Sequence, residues 1–287
     1  MNSTLRPGLY LVATPIGNLQ DLSLRAHEIL SNAEVIACED TRVTGKLLSR
    51  HTIDRPMKAY HEHNAAQARP GLLKILEEGG AVALVSDAGT PAISDPGFRL
   101  VNDCIERGFD VTAAPGANAA ITGLILSGLP TDRFMFAGFL PNKTTGRKKE
   151  LAELASIPAT LIFYESAKRL AAALEDMAEQ LGDRPACVAR ELTKLHEEMR
   201  RGSLVELAGH YQQAGAPKGE IVIVVGPPLK AAPLSEDEIE ALILARLENK
   251  SVRDAAQEIA LETGLPKRQI YARALDISKG QKKGQAS

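Results

Sequence analysis

Along most of the chain, short apolar runs alternate with stretches whose apolar residues recur at helical spacing, the pattern of strands and helices taking turns. Gly8 to Thr14, "GLYLVAT", is an apolar run closed by "PIGN", and Leu22 to Leu30 then sets Leu, Ala and Ile on one helical face. "EVIAC", Glu34 to Cys38, reads as another strand, and the "EDTRVTGKLLSR" after it opens with acidic residues that suit a helix N-terminus. A polar helix near Asn64 to Glu78 leads through Gly79 and Gly80 into "AVALVS", an almost wholly apolar strand such as parallel sheets bury on both faces. With a helix near Phe98 to Arg107, the strand "DVTAA" and the turn "PGAN", five strands alternating with helices predict a parallel α/β domain over residues 1–115.

A second set follows. "FMFAGFLP", "ATLIFYES", "PACVAREL" and "EIVIVVGPP" read as strands, with amphipathic helices near Ala167 to Gln180 and Leu204 to Tyr211, and predict a second α/β domain over 116–228. "GPPLKAAPLSEDE" reads as a linker running into a helix start, so 229–287 is a third unit, a helical tail. There Ser251 and Asp254 can cap a helix, Ala255, Ala256 and Ile259 give it an apolar face, and Gly264 stops it before a second helix from Pro266. This helix-turn-helix-like hairpin carries eight Lys or Arg against four Asp or Glu from Lys250 onward. It is either a solvated hairpin with a disordered end, "KGQKKGQAS", or a module that contacts nucleic-acid phosphates.

Composition narrows the classes. At 287 residues the chain exceeds one ordinary core and fits two domains with an appendage. It shows neither an apolar run of membrane-spanning length nor a readable export signal, so a cytoplasmic protein with no membrane partner is expected. Three scattered cysteines, Cys38, Cys104 and Cys187, make no disulfide framework or Cys-x-x-Cys pair and read as small core residues. "HEHN" at His61 to Asn64 offers one HxH pair without a third ligand, so no metal site is assigned. A net charge of only −2 means that binding to nucleic acid would have to use local basic patches.

Three loops concentrate the candidate chemistry. In open parallel sheets, ligands gather outside the C-terminal strand ends, where "TPIGN", "SDAGTPAISDPG" and "PGAN" follow the first, fourth and fifth runs. Gly17, Gly89 and Gly116 allow close backbone approach, and Asp87 supplies a carboxylate for hydroxyl or ammonium donors. One such loop is ordinary turn chemistry; three together suit a small polar cofactor. The chain contains no G-x-G-x-x-G after its first strand, no P-loop signature and no G-x-S-x-G, which disfavours a dinucleotide, a cradled triphosphate and a serine-hydrolase elbow.

"LYLVATPIGNLQDLSLRA", "CEDTR", "LVSDAGTPAISDPG", "APGANAAITGLILSGLPTDRFMFAGFLP", "IFYES", "RELTKLHEE" and "KGEIVIVVG" occur in this order over about residues 8–227. Together they resemble the tetrapyrrole-methylase fold family of S-adenosylmethionine-dependent methyltransferases (class III), in particular its branch acting on small-subunit ribosomal RNA. The resemblance implies a dimer of two-domain chains, a C-terminal helical domain, and S-adenosyl-L-methionine in the cleft between the domains. It implies 2′-O-ribose methylation of a cytidine in the decoding region of 16S ribosomal RNA, with the small ribosomal subunit as partner. Carried over residue by residue, the implied cofactor contacts are Ile16, Gly17, Asp87, Thr90, Asn118, Ala119, Tyr164, Glu165 and Leu192. One departure is visible: "YESAKR" has Ala167-Lys168 where Pro-His is expected.

Methyl transfer to a ribose hydroxyl needs alignment of oxygen, methyl and sulfur above all, with a base or cation near the oxygen adding to it. The candidates are Lys194 and Glu197 in "ELTKLHEE" and Glu39, Asp40 and Arg42 in "CEDTR", each of which also suits surface pairing or helix capping. "PNKTTGRKKE" offers Lys143, Arg147, Lys148 and Lys149 as an RNA-contacting basic loop. Two alternatives stay open: a methylase of a tetrapyrrole or other small molecule, and a nucleic-acid-binding regulator whose α/β part senses a metabolite.

Overall fold

The computed structural model describes residues 5–93, 97–229 and 235–284, and its contacts divide the chain into a unit ending at Pro228 and a unit beginning at Leu229. The larger unit opens with β1 (Gly8–Val12), α1 (Leu24–Asn32), β2 (Val35–Cys38), α2 (Thr41–Arg50), β3 (Met57–Ala59), α3 (Ala65–Glu77), β4 (Ala81–Val85), α4 (Phe98–Glu106) and β5 (Val111–Ala114). These five strands form one all-parallel sheet in the order β3-β2-β4-β1-β5. Every residue of β2 and β4 is buried because helices cover both faces. Val35, Ala37, Val82 and Leu84 join a core that includes Leu72 and Leu100, from α3 and α4. The alternate residues Ile36, Cys38, Ala83 and Val85 join Ile29, Leu30 and Leu48, from α1 and α2. That two-sided burial is why the strands read as continuous apolar runs.

The chain continues with α5 (Ala119–Ser127), β6 (Phe134–Phe139), α6 (Thr144–Leu154), β7 (Thr160–Ser166), α7 (Leu170–Leu181), β8 (Pro185–Arg190), β9 (Glu198–Ser203), α8 (Leu204–Ala214) and β10 (Glu220–Val225). The second sheet is mixed, ordered β6-β7-β10-β8-β9, with β6 parallel to β7 and the remaining pairs antiparallel. It has five strands where the apolar runs predicted four. The addition, β9 or "EMRRGS", is a polar edge strand held to β8 along its length, its Glu198 carboxylate bridging Arg190 opposite it at 2.9 Å. An edge strand of this kind carries no apolar alternation to read.

The basic segment 141–150 is a second correction. From Thr144 on it is not a loop but the start of α6, whose inner face is Arg147, Leu151 and Leu154. Arg147 donates from Nε to Asp176 Oδ2 on α7 at 2.6 Å, with Nη2 at 2.5 Å from the same oxygen, in a pair whose side chains are 4% and 7% exposed. Lys148 reaches Glu179 at 2.5 Å. Arg147 is therefore a core residue and no RNA contact, while Lys143 and Lys149 remain exposed.

In the C-terminal unit, α9 (Glu236–Leu247), α10 (Val252–Thr263) and α11 (Lys267–Gly284) pack Ile239, Ile243, Ala256, Ile259, Ile270 and Ala274 into a small core. Ser251 Oγ accepts from the Asp254 amide at 3.2 Å, and Gly264 closes α10 at φ +71°. Both follow the sequence expectation. Of the end that the solvated-hairpin alternative made disordered, residues up to Gly284 belong to helix α11; residues 285–287, and residues 230–234 of the expected linker, lie outside the described residues.

Candidate active site

A cavity of about 490 Å³ lies where the loops after β1, β4 and β5 meet β7, β8 and β10 of the second sheet. The loop after β4 is pinned to the loop after β1: Thr14 and Gly89 exchange backbone hydrogen bonds of 2.9 and 3.0 Å. Gly89 has φ +80°, and a Cβ there would lie 3.3 Å from Ile16 Cγ2, so glycine fits both the turn and the close approach. Ser86 Oγ donates to the carbonyls of Ala88 and Gly89 at 3.2 and 3.3 Å, closing the same turn from inside. Thr90 Oγ1 donates to the Ala117 carbonyl at 3.3 Å and accepts from Asn118 Nδ2 at 3.2 Å, which ties the β4 loop to the β5 loop. Asn118 Oδ1 meanwhile caps α5 through the Ile121 amide at 3.1 Å.

Eight predicted contacts, Ile16, Asp87, Thr90, Asn118, Ala119, Tyr164, Glu165 and Leu192, line this cavity. Gly17 does not. It packs against residues 192–194, where a Cβ would sit 2.8 Å from Thr193 Oγ1 and 2.9 Å from the Leu192 carbonyl. Glu191, just before that segment, and Thr193 within it hold positive φ of 52° and 64°, a backbone form that residues other than glycine rarely adopt. Thr193 is fixed by Glu197, whose Oε2 accepts from its amide at 2.7 Å, and by the Asn18 amide, which donates to Thr193 Oγ1 at 3.1 Å.

On the other wall, Glu165 is buried at the end of β7. Its Oε1 accepts from the Ser166 amide at 2.6 Å and from Arg169 Nε at 2.7 Å, while Oε2 has no hydrogen-bond partner among the described residues. Tyr164 lies edge-on to Phe139, with ring centroids 5.5 Å apart. Arg169 of "YESAKR" is thus a clamp on Glu165, and Ala167 lines the cavity directly.

The catalytic candidates separate into different roles. Asp40 caps α2 through the Arg42 amide at 2.8 Å and pairs with the Arg42 guanidinium at 2.6 Å, and those hydrogen bonds hold its carboxyl down to about 2. Its own amide donates to Asp87 Oδ1 at 3.0 Å, which brings "CEDTR" to the cavity rim. Glu39 accepts no comparable bond among the described residues, and burial first, then the neighbouring Asp87 charge, raise its pKa above the ordinary glutamate value. Lys194 bridges Glu191 at 2.9 Å and Glu220 at 3.1 Å; burial pulls its ammonium down, but the two carboxylates outweigh it and keep it cationic. Glu197 serves the Thr193 backbone.

A sequence profile described as Tetrapyrrole (Corrin/Porphyrin) Methylases matches residues 8–208, and one described as RsmI C-terminal HTH domain matches 233–278. Ribosomal RNA small subunit methyltransferase I of Mesorhizobium japonicum is 52% identical over 274 residues, covering 95% of this chain and 93% of that one. The protein of the same name from Erythrobacter litoralis is 52% identical over 273 residues, covering 95% and 96%. The chain belongs to the ribosomal RNA small subunit methyltransferase I family of tetrapyrrole methylases. Uroporphyrin-III C-methyl transferase from Thermus thermophilus, solved with S-adenosylhomocysteine, matches at a TM-score of 0.53 and 21% identity over 76% of this chain and 97% of that one, a likeness of fold.

For a methyltransferase I family member, the sequence reading missed one wall of the cavity: Gly219 and the Glu220, Ile221 and Val222 of β10 that follow it, together with Phe139. The available signal was Gly219 ahead of the apolar run in "KGEIVIVVG". It stands at φ +100°, with the Glu191 carboxylate where a Cβ would be. Among the described residues no cluster of three or more His, Cys, Asp or Glu forms a potential metal site, and no helix is long and apolar enough to cross a membrane.

Proposed function

We propose that this protein transfers the methyl group of S-adenosylmethionine to 16S ribosomal RNA of the small subunit, at the ribose 2′-hydroxyl of a cytidine in the decoding region. The observation that carries this reading is the cavity at the strand ends, lined by eight of the nine residues that the family resemblance implied, in a chain half identical to methyltransferases of small-subunit ribosomal RNA. Its residues fit the cofactor. A volume near 490 Å³ suits a nucleoside-sized ligand. Ile16, Leu192, Ile221 and Val222 offer apolar walls, Asp87 a carboxylate for an ammonium, and Glu165 Oε2 a buried acceptor that a ligand donor would satisfy.

When bound, the cofactor supplies an activated sulfonium methyl, so the chain's residues have chiefly to position the attacking oxygen. Of the two carboxyls beside the Asp40–Asp87 hydrogen bond, Glu39, raised in pKa and with no hydrogen bond among the described residues, is the better suited to take the hydroxyl proton, while Asp40, held near 2 by Arg42, is a poor base. Lys194 keeps its proton and contributes a positive charge on the 192–194 side. A homodimer in the cytoplasm completes the reading. Its support is apolar surface: Phe98 and Ile105 on α4, Ile121 and Ile125 on α5, and Phe134 and Met135 on the edge strand β6 are exposed.

The test is transfer of tritiated methyl from S-adenosylmethionine to small subunits lacking the modification and, in parallel, to naked 16S RNA. Label mapping to a cytidine ribose is the expected result. A protein that binds the cofactor yet labels neither RNA would overturn the reading.

A further inference from the structure

Helix α2 presents a row of cations beside the cavity that the proposed chemistry does not use. Arg42, Lys46 and Arg50 stand at i, i+4 and i+8, successive turns on one exposed side, while Thr44, Leu47 and Leu48 face the core. Arg42 is bound to Asp40; Lys46 and Arg50 form no ion pair among the described residues. Other helices of this chain answer such cations with carboxylates, as in Lys74–Glu78, Lys148–Glu179 and Arg246–Glu262. Like charges one turn apart slightly weaken a helix, so the unanswered row at Lys46 and Arg50 stands out against those pairs.

The row also leads somewhere. A trough of about 600 Å³ runs along Arg42, Lys46, Ser49 and Arg50. It shares Arg50 with a second trough of about 610 Å³ between the β1 loop and the 193–195 segment, lined by Gly17, Asn18 and Lys194. Ile16 and Leu192, the chain neighbours of Gly17 and Thr193, line the cofactor cavity. At its other end α2 is joined to the same cavity through the hydrogen bond from the Asp40 amide to Asp87.

We infer that this face of α2 is a track for the phosphate backbone of the RNA substrate, with Lys46 and Arg50 each neutralising a phosphate close to the nucleotide being methylated. The inference rests on the RNA reading above and names the surface that serves it. It replaces the basic segment 141–150, where two of four cations are taken up by Asp176 and Glu179. RNA fits where an acidic protein surface fits less well, because cations at one-turn intervals along open troughs match a linear array of phosphates.

The test uses the full chain with Lys46→Ala and Arg50→Ala together. Binding to unmodified small subunits is measured by filter retention over a salt series, alongside S-adenosylmethionine affinity and methyl transfer. Two lost single-strand phosphate contacts predict a salt slope smaller by about 1.4 and affinity lower by about 25-fold near 0.1 M salt. The KM for subunits rises, cofactor affinity is unchanged, and Lys46→Arg with Arg50→Lys restores binding. Should the alanine pair fold poorly, Lys46→Gln with Arg50→Gln reports the same loss. Unchanged affinity and slope, or weaker affinity with an unchanged slope, would overturn the inference while leaving the methyltransferase reading intact. A wild-type protein that binds S-adenosylmethionine but labels no RNA would overturn both.

Discussion

The pair formed by Arg147 and Asp176 separates a structural from an RNA-binding role for the basic segment. In Arg147→Ala, Asp176 keeps as a cation, among the described residues, only Lys148, 3.7 Å away and partly exposed. In Asp176→Asn, Arg147 can still donate to the new amide oxygen, to the Thr144 hydroxyl at 3.3 Å and to the Asn142 carbonyl at 3.5 Å, but has no counter-charge among the described residues. Breaking a buried pair costs about 3–5 kcal/mol, so Arg147→Ala belongs near the lower figure and Asp176→Asn near the upper. At about 2–4 °C per kcal/mol for a unit of this size, the melting temperature falls by about 6–12 °C and 10–20 °C. Replacing both, Arg147→Met with Asp176→Leu, returns stability to the wild-type value or above it, because neither charge then has to be desolvated. Thermal melts by circular dichroism, with RNA retention on filters well below the transition, measure both properties. An Arg147→Ala protein that melts with the wild type yet binds RNA more weakly would refute the argument.

Gly17→Ala forces the 192–194 segment to move and costs about 1–3 kcal/mol, seen as a lower melting temperature and as weaker S-adenosylmethionine binding by calorimetry, since Leu192 lines the cavity. Glu165→Gln, nearly isosteric, weakens cofactor binding about tenfold or more, because a hydrogen bond to a charged group contributes about 1.5–3 kcal/mol. If Glu39 is the base, methyl transfer at saturating cofactor falls as pH drops through its raised pKa and the group becomes protonated. Asp87→Asn removes one cause of that elevation and moves the acid limb to lower pH; a limb that stays in place removes Glu39 from the role.

Much of this protein was legible in the order of its residues because it is written locally. Continuous apolar runs mark β4 and β10 since both faces of those strands are covered, and Ser251, Asp254 and Gly264 set α10 through backbone bonds within a few positions. The three Gly-containing loops are legible for the same reason, as their chemistry sits at strand ends and follows from strand direction.

Tertiary structure decided what depends on partners remote in the chain. β9 is a strand only because β8 offers it a ladder, and the charges of "RKK" divide into core and surface only because α7 brings Asp176 under α6. The five charged candidates look equivalent in sequence, yet Arg42 holds Asp40, Glu197 serves a backbone amide, Lys194 is bridged, and the Glu39 carboxyl, raised by burial and Asp87, has no hydrogen bond among the described residues. The pairs within a few residues are local, but the bridge from Lys194 to Glu220 and the bond from the Asp40 amide to Asp87 join segments remote in the chain, and those distances are set by how the strands and loops pack.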